Sequence, residues 1–146
     1  MGFEIEHKYL VINDSYRAMA KKCYHIVQAY LCRDVERTIR IRKRNNKAFL
    51  TIKGKTDVDK RLEYEYEISV EDFNGLLNLA KGRIIEKQRY IVDYAGNEWE
   101  VDEFGGDLKG LVIAEIELSN SDYNYACPDF VGEDVTTNPA YYNSNL

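Results

Sequence analysis

The sequence predicts a mainly β (α+β) protein whose strands, roughly eight and antiparallel, form a barrel or a strongly curled sheet with a polar interior. Three observations carry this prediction. Most segments alternate charged and apolar side chains with period two. Turn signals join neighbouring segments as hairpins, and only two short stretches have helical spacing. With 146 residues, the chain is expected to be one domain, 1–146.

The N-terminal half predicts five strands and one short helix. Residues 3–11 alternate polar and apolar side chains, as a half-buried strand does. Asp14 or Ser15 could cap a short helix that runs through Cys23. The Asn-Asn pair at 45–46 is typical of a hairpin turn. The remaining strands are expected at 25–32, 37–43, 48–53 and 61–68, with a polar loop at 54–59.

The C-terminal half predicts a second helix and three more strands. Ser69 begins the capping-box pattern S-V-E-D, and Gly82 is expected to end the helix that follows. A hairpin turn is expected at 95–97. From Ser119 the chain is polar and tyrosine-rich, with little pattern beyond a final turn at 140–145. The strands are expected at 84–94, 98–103 and 111–118.

Composition excludes several classes of protein. The formal net charge of −5 gives no reason to expect nucleic-acid or membrane-surface binding. No segment approaches the ~20 apolar residues of a membrane-spanning helix, and the N-terminus lacks an apolar signal segment. Cys23, Cys32 and Cys127 have no C-x-x-C spacing, so free thiols and a cytoplasmic location are expected.

The charged residues are separated by sign from strand to strand. Glu4 and Glu6 form an acidic pair on one face of their strand, and Arg40 and Arg42 form a basic pair. Any single pair is compatible with an ordinary solvated face. Repetition on nearly every strand favours instead a sheet curled around a charged interior. The same spacing recurs at Lys87 and Arg89, Glu100 and Asp102, and Glu115 and Glu117.

Carboxylates and guanidinium groups on one interior face indicate the class of ligand that the interior would bind. Arginine binds phosphate oxygens with a planar fork, and lysine adds a point charge. Carboxylates would repel a phosphate unless a divalent cation stood between them, and Mg²⁺ or Mn²⁺ prefers oxygen ligands. Such a cation neutralises developing charge and can activate a water for attack on phosphorus. The pattern therefore fits a metal–polyphosphate complex.

A series of short motifs follows in order along the chain. They are E-x-E-x-K at 4–8, Q-A-Y-L at 28–31, R-I-R at 40–42, T-I-K-G-K at 51–55, R-L-E-Y-E at 61–65, K-Q-R-Y at 87–90, D-E-F at 102–104, A-E-I-E-L at 114–118 and Y-Y-N-S-N-L at 141–146. With these motifs the chain resembles the CYTH domain, or triphosphate tunnel metalloenzyme family, over essentially its full length. The resemblance implies a closed eight-stranded antiparallel tunnel that binds a triphosphate and divalent metals, Mg²⁺ or Mn²⁺.

The resemblance also implies roles for individual residues. Tyr30 and Lys53 match a Lys–Tyr pair linked to catalysis in some short bacterial-type members. The C-terminal turn would plug or line one mouth of the tunnel. The expected phosphate-binding residues are Lys8, Arg40, Arg42, Lys53, Lys55, Arg61, Lys87 and Arg89. The expected metal ligands are Glu4, Glu6, Glu63, Glu65, Asp102, Glu115 and Glu117.

The first functional expectation is metal-dependent hydrolysis of inorganic triphosphate to pyrophosphate and phosphate. The sequence offers many phosphate ligands but no clear aromatic clamp for a base or a thiazolium ring. A class IV-type adenylyl cyclase, a thiamine triphosphatase, a non-catalytic polyphosphate-binding module and a structural β-domain stay open as alternatives. The expected partner is a small-molecule triphosphate, with no nucleic acid and no membrane, and two copies could form a homodimer.

Overall fold

The computed structural model describes residues 2–146. The strands are β1 (Phe3–Val11), β2 (Lys22–Asp34), β3 (Arg37–Arg44), β4 (Lys47–Gly54), β5 (Lys60–Ile68), β6 (Lys81–Tyr94), β7 (Asn97–Phe104), β8 (Val112–Glu117) and β9 (Val131–Asp134). The helices are α1 (Tyr16–Met19) and α2 (Val70–Leu76), with 3₁₀ turns at Leu77–Leu79, Gly106–Leu108, Pro139–Tyr141 and Asn143–Asn145. Among the described residues, no helix is both long and apolar enough to cross a membrane.

The strands close into a ring. Hydrogen-bonded neighbours follow the order β5-β4-β3-β2-β6-β7-β8-β1, and β1 pairs with β5 to complete a barrel of eight strands. All pairings are antiparallel, and β9 adds to β1 from outside the ring. The predicted closed antiparallel barrel is confirmed.

Two tight hairpins fix the register of four strands. Asn45 and Ala95 have φ angles of 52° and 50°, and Gly96 has a φ of 82°. Positive φ is what a two-residue hairpin turn requires, because it matches the twist of the flanking strands. Both hairpins lie where the sequence predicts them, and they place alternate side chains of β3, β4, β6 and β7 inside the barrel.

Helix boundaries differ from the sequence predictions. The helix α1 ends at Met19 rather than Cys23, because Lys22 and Cys23 already pair with β6 as the start of β2. The helical region after Ser69 ends at Leu79, and Gly82 lies in β6 with a φ of 76°. A Cβ at Gly82 would stand 3.1–3.3 Å from the Arg33 guanidinium, so this glycine makes room for an arginine instead of ending a helix.

The tail contains a strand that the sequence does not predict. Val131–Asp134 pairs with β1, in register at Val11 and Val131. This strand has only four residues, too few for a period-two pattern to stand out from a polar tail. Its pairing comes from the exposed edge of β1, which is a long-range feature.

Apolar packing lies on the outside of the barrel. One cluster joins Tyr16 of α1 and Phe130 of the tail to Trp99 on the outer face of β7. A second cluster seats Phe73 of α2 on Ile41. Ser69 caps α2, since its Oγ accepts the Asp72 N–H at 2.9 Å. The helices therefore pack outside, as predicted, and leave most of the interior to polar side chains.

One end of the interior is apolar and is covered by the C-terminus. Ile85, Phe104 and Ile113 are buried there, and Tyr141 and Leu146 pack against them. Arg33 donates to the Ser144 carbonyl, which ties the tail to the barrel wall. The tail thus forms the floor of the tunnel.

Candidate functional site

The barrel encloses a charged cavity of about 160 Å³. Its walls come from the inward faces of β1 and β3–β8, and Asn143 of the tail also reaches it. The acidic lining residues are Glu4, Glu6, Glu63, Glu65, Glu100, Glu115 and Glu117, and the basic ones are Arg40, Arg42, Arg44, Lys53 and Arg89. Period-two alternation brings these residues together because the sheet is closed.

Three carboxylates from three strands converge in this cavity. Glu4, Glu63 and Glu117 each offer an oxygen, and these oxygens all lie within 4.8 Å of one another. Burial, followed by the charges of Glu4 and Glu63, raises the pKa of Glu117 to about 7. Crowded carboxylate oxygens of this kind suit a hard divalent cation, which would remove the repulsion between them. The residues present therefore fit Mg²⁺ or Mn²⁺.

Glu6 extends the acidic cluster along β1. It lies directly opposite Glu117 in the β1–β8 pairing. Burial, followed by the charges of Glu115 and Glu4, raises the pKa of Glu6 to about 8. Glu115 itself stands 3.2 Å from the Lys8 Nζ, and that ammonium offsets burial so that the pKa of Glu115 is lowered.

Glu4 is held in its ionised form by neighbouring cations. The Lys53 Nζ lies 3.0 Å from Glu4 Oε1, and the Arg61 Nε lies 3.4 Å from the same oxygen. Burial alone would raise the pKa of Glu4, but the charges of Lys53 and Arg61 lower it to about 2. Lys53 also contacts Glu63 at 3.3 Å, so it links two members of the acidic cluster.

Asp102 is the counter-ion of two buried cations. Its carboxylate accepts hydrogen bonds from Arg89 Nε at 2.8 Å and Arg89 Nη2 at 2.9 Å, and the Lys87 Nζ lies at 2.7 Å. Burial would raise the pKa of Asp102, but Arg89 and Lys87 lower it. Burial lowers the pKa of Lys87 to about 7, against the pull of Asp102. Asp102 therefore lies outside the acidic cluster, where it holds Lys87 and Arg89 in place.

Two arginines of β3 point into the cavity beside Gln28. Arg42 Nε donates to Gln28 Oε1 at 2.9 Å. Burial, followed by the charges of Arg40 and Arg89, lowers the pKa of Arg42 to about 9. Within residues 2–146, Gln28 Nε2 and Arg40 Nε are buried without a hydrogen-bond partner. Unused donors among crowded cations are what an anion would satisfy.

The predicted pair Tyr30 and Lys53 lies on different strands. Tyr30 is buried opposite Arg40 in the β2–β3 pairing, and the Arg33 guanidinium carbon lies 4.8 Å from its ring centroid. Lys53 lies on β4 and contacts Glu4 and Glu63. Among the hydrogen bonds of the described residues, none joins Tyr30 to Lys53.

Two further predicted residues differ in their exposure from the rest. Lys55 is exposed outside the cavity, with its Nζ 3.9 Å from Glu36. Glu65 lies on the rim with its side chain 42% exposed, and it accepts a hydrogen bond from Thr51 at 2.8 Å. Lys55 continues the basic pattern of β4 by one step, but β4 ends at Gly54.

Several residues of the site are missing from the predicted set. Glu100 lines the cavity 3.3 Å from Arg89, and burial raises its pKa. Its spacing from Asp102 carried the signal for this position. Gln28 and Asn143 lie within the motifs Q-A-Y-L and Y-Y-N-S-N-L, but a lone amide has no period-two charge pattern that would assign it to the cavity. The Tyr141 carbonyl accepts from Lys8 Nζ at 3.0 Å, a backbone contact without a side-chain signature.

A CYTH domain profile matches residues 2–145 of the chain. The chain belongs to the CYTH family. Its CYTH relatives include the inorganic triphosphatase of Acetivibrio thermocellus, 46% identical over 100% of this chain and 94% of that protein. The inorganic triphosphatase of Nitrosomonas europaea is 32% identical, over 98% of this chain and 95% of that protein.

Solved structures agree with the CYTH assignment. A crystal structure of an inorganic triphosphatase superposes with a TM-score of 0.68 at 30% identity, covering 97% of this chain and 92% of that one. A Hippeastrum protein, described as a putative adenylyl cyclase with a dominant triphosphatase activity, superposes with a TM-score of 0.60 over 82% of this chain and 80% of that one. At 16% identity, the Hippeastrum likeness shows the CYTH fold alone.

Proposed function

We propose that this protein is a divalent-metal-dependent triphosphatase that hydrolyses inorganic triphosphate to pyrophosphate and phosphate. One observation carries the proposal: a single enclosed cavity places a carboxylate cluster beside a cluster of buried cations with unused donors. The names of two full-length relatives, both inorganic triphosphatases, support the same substrate.

The carboxylates of Glu4, Glu63 and Glu117 would hold Mg²⁺ or Mn²⁺, with Glu6 beside them. When bound, the cation neutralises charge on the phosphates and lowers the pKa of a water molecule. Lys53 orients two of these carboxylates through its contacts with Glu4 and Glu63. The same ammonium is the proposed catalytic partner of Tyr30.

The phosphate chain would lie against the basic wall of the cavity. Arg40, Arg42 and Arg89 point into it, and guanidinium groups bind phosphate oxygens through paired hydrogen bonds. Lys87 forms an ion pair with Asp102, which also binds Arg89 of this wall. Lys8 completes the grip from β1, where it is anchored between Glu115 and the Tyr141 carbonyl.

Phosphate release from four substrates tests the proposal. Inorganic triphosphate, pyrophosphate, ATP and thiamine triphosphate are compared side by side with Mg²⁺ and with Mn²⁺. Inorganic triphosphate is expected to give the highest kcat/KM, and Glu4→Gln is expected to abolish most of it. Cyclic AMP as the main product from ATP and Mn²⁺ would overturn the proposal.

A cytoplasmic location is part of the proposal. Cys23, Cys32 and Cys127 are unpaired thiols, and Cys23 and Cys127 are exposed. Exposed free thiols are typical of proteins kept in a reducing compartment. Fractionation of the source cells with a thiol-trapping reagent tests this location, and recovery outside the cytoplasm would contradict it.

A homodimer is supported by an apolar stripe on the outer face of β5 and its neighbours. Phe3, Ile52, Leu62, Tyr64 and Tyr66 are each at least 37% exposed, and they are neighbours in the β1–β5 and β4–β5 pairings. Sedimentation equilibrium is expected to give twice the monomer mass, and Tyr66→Lys is expected to halve it. A monomeric wild type at high micromolar concentration would exclude this dimer.

A further inference from the structure

At the end of the tunnel away from the tail, two aromatic rings are both in contact with an arginine side chain. The guanidinium carbon of Arg44 lies 4.9 Å from the ring centroid of Tyr24 and 5.3 Å from that of Phe49. Tyr24 and Phe49 belong to β2 and β4, the two strands that flank Arg44 on β3. A guanidinium within about 6 Å of an aromatic centroid is attracted to the ring face. The Arg44 guanidinium therefore lies against both rings.

Arg44 lies at the mouth, opposite the floor formed by the tail. It is the last residue of β3, whereas Thr38, near the start of β3, pairs with Arg33, which holds the tail. Arg44 also lines the same cavity as Arg40 and Arg42. A group attached to the outer end of a bound triphosphate would have to pass this position.

An aromatic pair at this position has a clear chemical use. Stacking a base on an aromatic side chain contributes about 1–3 kcal/mol. A nucleoside or thiamine triphosphate could use Tyr24 and Phe49 in this way, whereas inorganic triphosphate carries no ring. In this chain the Arg44 guanidinium covers a face of each ring. The contacts with these two rings hold the Arg44 guanidinium in this position.

We propose that Arg44 is a specificity-determining residue that fills the Tyr24–Phe49 cleft and so excludes the aromatic group of nucleoside and thiamine triphosphates. The proposal rests on the proposed triphosphatase function and specifies its substrate class. The sequence has no clear aromatic clamp for a base, and the structure explains how two aromatic rings can be present without serving as one. The clamp exists in space, built from two separate strands, and an arginine blocks it.

Removal of Arg44 should open the cleft. We expect Arg44→Ala to raise the ratio of kcat/KM for ATP to kcat/KM for inorganic triphosphate by at least about fivefold, mainly through a lower KM for ATP. Thiamine triphosphate should gain in the same direction. Arg44→Met serves as a second variant because its unbranched side chain preserves the packing of the aliphatic stem.

Two controls separate stacking from a general loss of charge. Lys43→Ala removes a cation from the neighbouring position, which faces the outside of the barrel, and should leave the ratio unchanged. Adding Phe49→Leu to Arg44→Ala should cancel the gain, because one ring of the cleft is then missing. Thermal melts of each variant confirm that it is folded.

Three results would overturn the proposal. The ratio could stay at the wild-type value in both Arg44 variants. ATP turnover could fall selectively, which would make Arg44 itself the surface on which the base stacks. KM could rise equally for both substrates, which would make Arg44 a phosphate ligand. Failure of the triphosphatase function is distinguishable, since it would appear as absent phosphate release in the wild type.

Discussion

At the scale of single residues, protons and metal compete for the same oxygens. Burial and neighbouring carboxylates raise the pKa of Glu6 to about 8 and that of Glu117 to about 7. Without metal, both groups are therefore protonated at a pH where an exposed glutamate is ionised. A divalent cation must displace these protons before it can bind both side chains.

This competition predicts that stabilisation by metal increases with pH. In the metal-free protein, the raised pKa values contribute stability that is full below about pH 4.5 and is lost as pH rises through about 7–8. A saturating cation replaces the protons, so the metal-induced rise in Tm should be several degrees larger at pH 8.5 than at pH 6. Differential scanning fluorimetry with and without Mg²⁺ measures it.

Glu6→Gln should flatten this pH dependence, because the most strongly raised pKa is then removed. Glu71→Gln, on the exposed first turn of α2, is the matched control and should behave as wild type. A metal-induced Tm shift that stays constant between the two pH values would contradict the assignment of Glu6 to the metal site.

Asp102 and Lys87 should differ in their effect on stability. Asp102→Asn leaves the buried cations Lys87 and Arg89 without their counter-ion, and breaking a buried pair costs about 3–5 kcal/mol. Lys87→Met removes a cation whose pKa is about 7 and fills its space, so its cost at pH 8 should be smaller. Urea unfolding at pH 8 measures both, and equal losses would contradict this account.

Sequence patterns predicted most of the cavity lining because its residues lie on alternating strands. Glu4, Arg40 and Glu115 could be assigned to one face from spacing alone, and closure of the barrel brings them together. The state of each group could not be predicted in this way. Asp102 and Glu115 share the spacing of metal-binding carboxylates, but each is engaged by buried cations on other strands.

At the scale of elements, β1 is held from outside by its one histidine. His7 points away from the cavity, with Nε2 2.8 Å from Asp59 Oδ2 and Nδ1 2.6 Å from the Tyr125 hydroxyl. These contacts fasten β1 to the loop before β5 and to the tail segment. The strand that carries Glu4, Glu6 and Lys8 is thereby fixed relative to this loop and this tail segment.

The two histidines of the chain make a matched comparison. His7→Ala should lower the free energy of unfolding by about 1–3 kcal/mol, because it removes one partly buried hydrogen bond from each of Asp59 and Tyr125. His25→Ala removes an exposed contact with Glu86 and should cost less than about 1 kcal/mol. Chemical denaturation measures both variants, and equal effects would rule out the anchoring role of His7.

Strand predictions succeeded where hairpins set the register and failed where pairing is long-range. Turn residues and period-two alternation predict the hairpins that join β3 to β4 and β6 to β7. In contrast, β9 forms because the part of β1 beyond its pairing with β5 has a free edge. The residues Val131–Asp134 alone do not predict this pairing. The same reason explains why α1 ends early, since Lys22 joins β6.

At the scale of the whole molecule, the last six residues stabilise the barrel from inside. Tyr141 and Leu146 pack on Ile85 and Phe104, and Lys8 bonds to the Tyr141 carbonyl. Truncation before Tyr141 should lower the free energy of unfolding by at least about 3 kcal/mol, since it removes two packed side chains. Tyr123→Ala, at an exposed tyrosine, should change it by less than about 1 kcal/mol. If truncation left the free energy of unfolding in urea unchanged, the proposed role of the C-terminal residues as a stabilising floor would be wrong.

Because the tail closes one end of the tunnel, the two reaction products would have to leave in a fixed order. If triphosphate is cleaved into two pieces inside the barrel, the piece nearer the tail can leave only after the piece nearer Arg44 has gone. The inner product would then be the one that returns to the free enzyme and competes with fresh substrate. The pattern of product inhibition, competitive for one fragment and not for the other, would report which end of the triphosphate enters first.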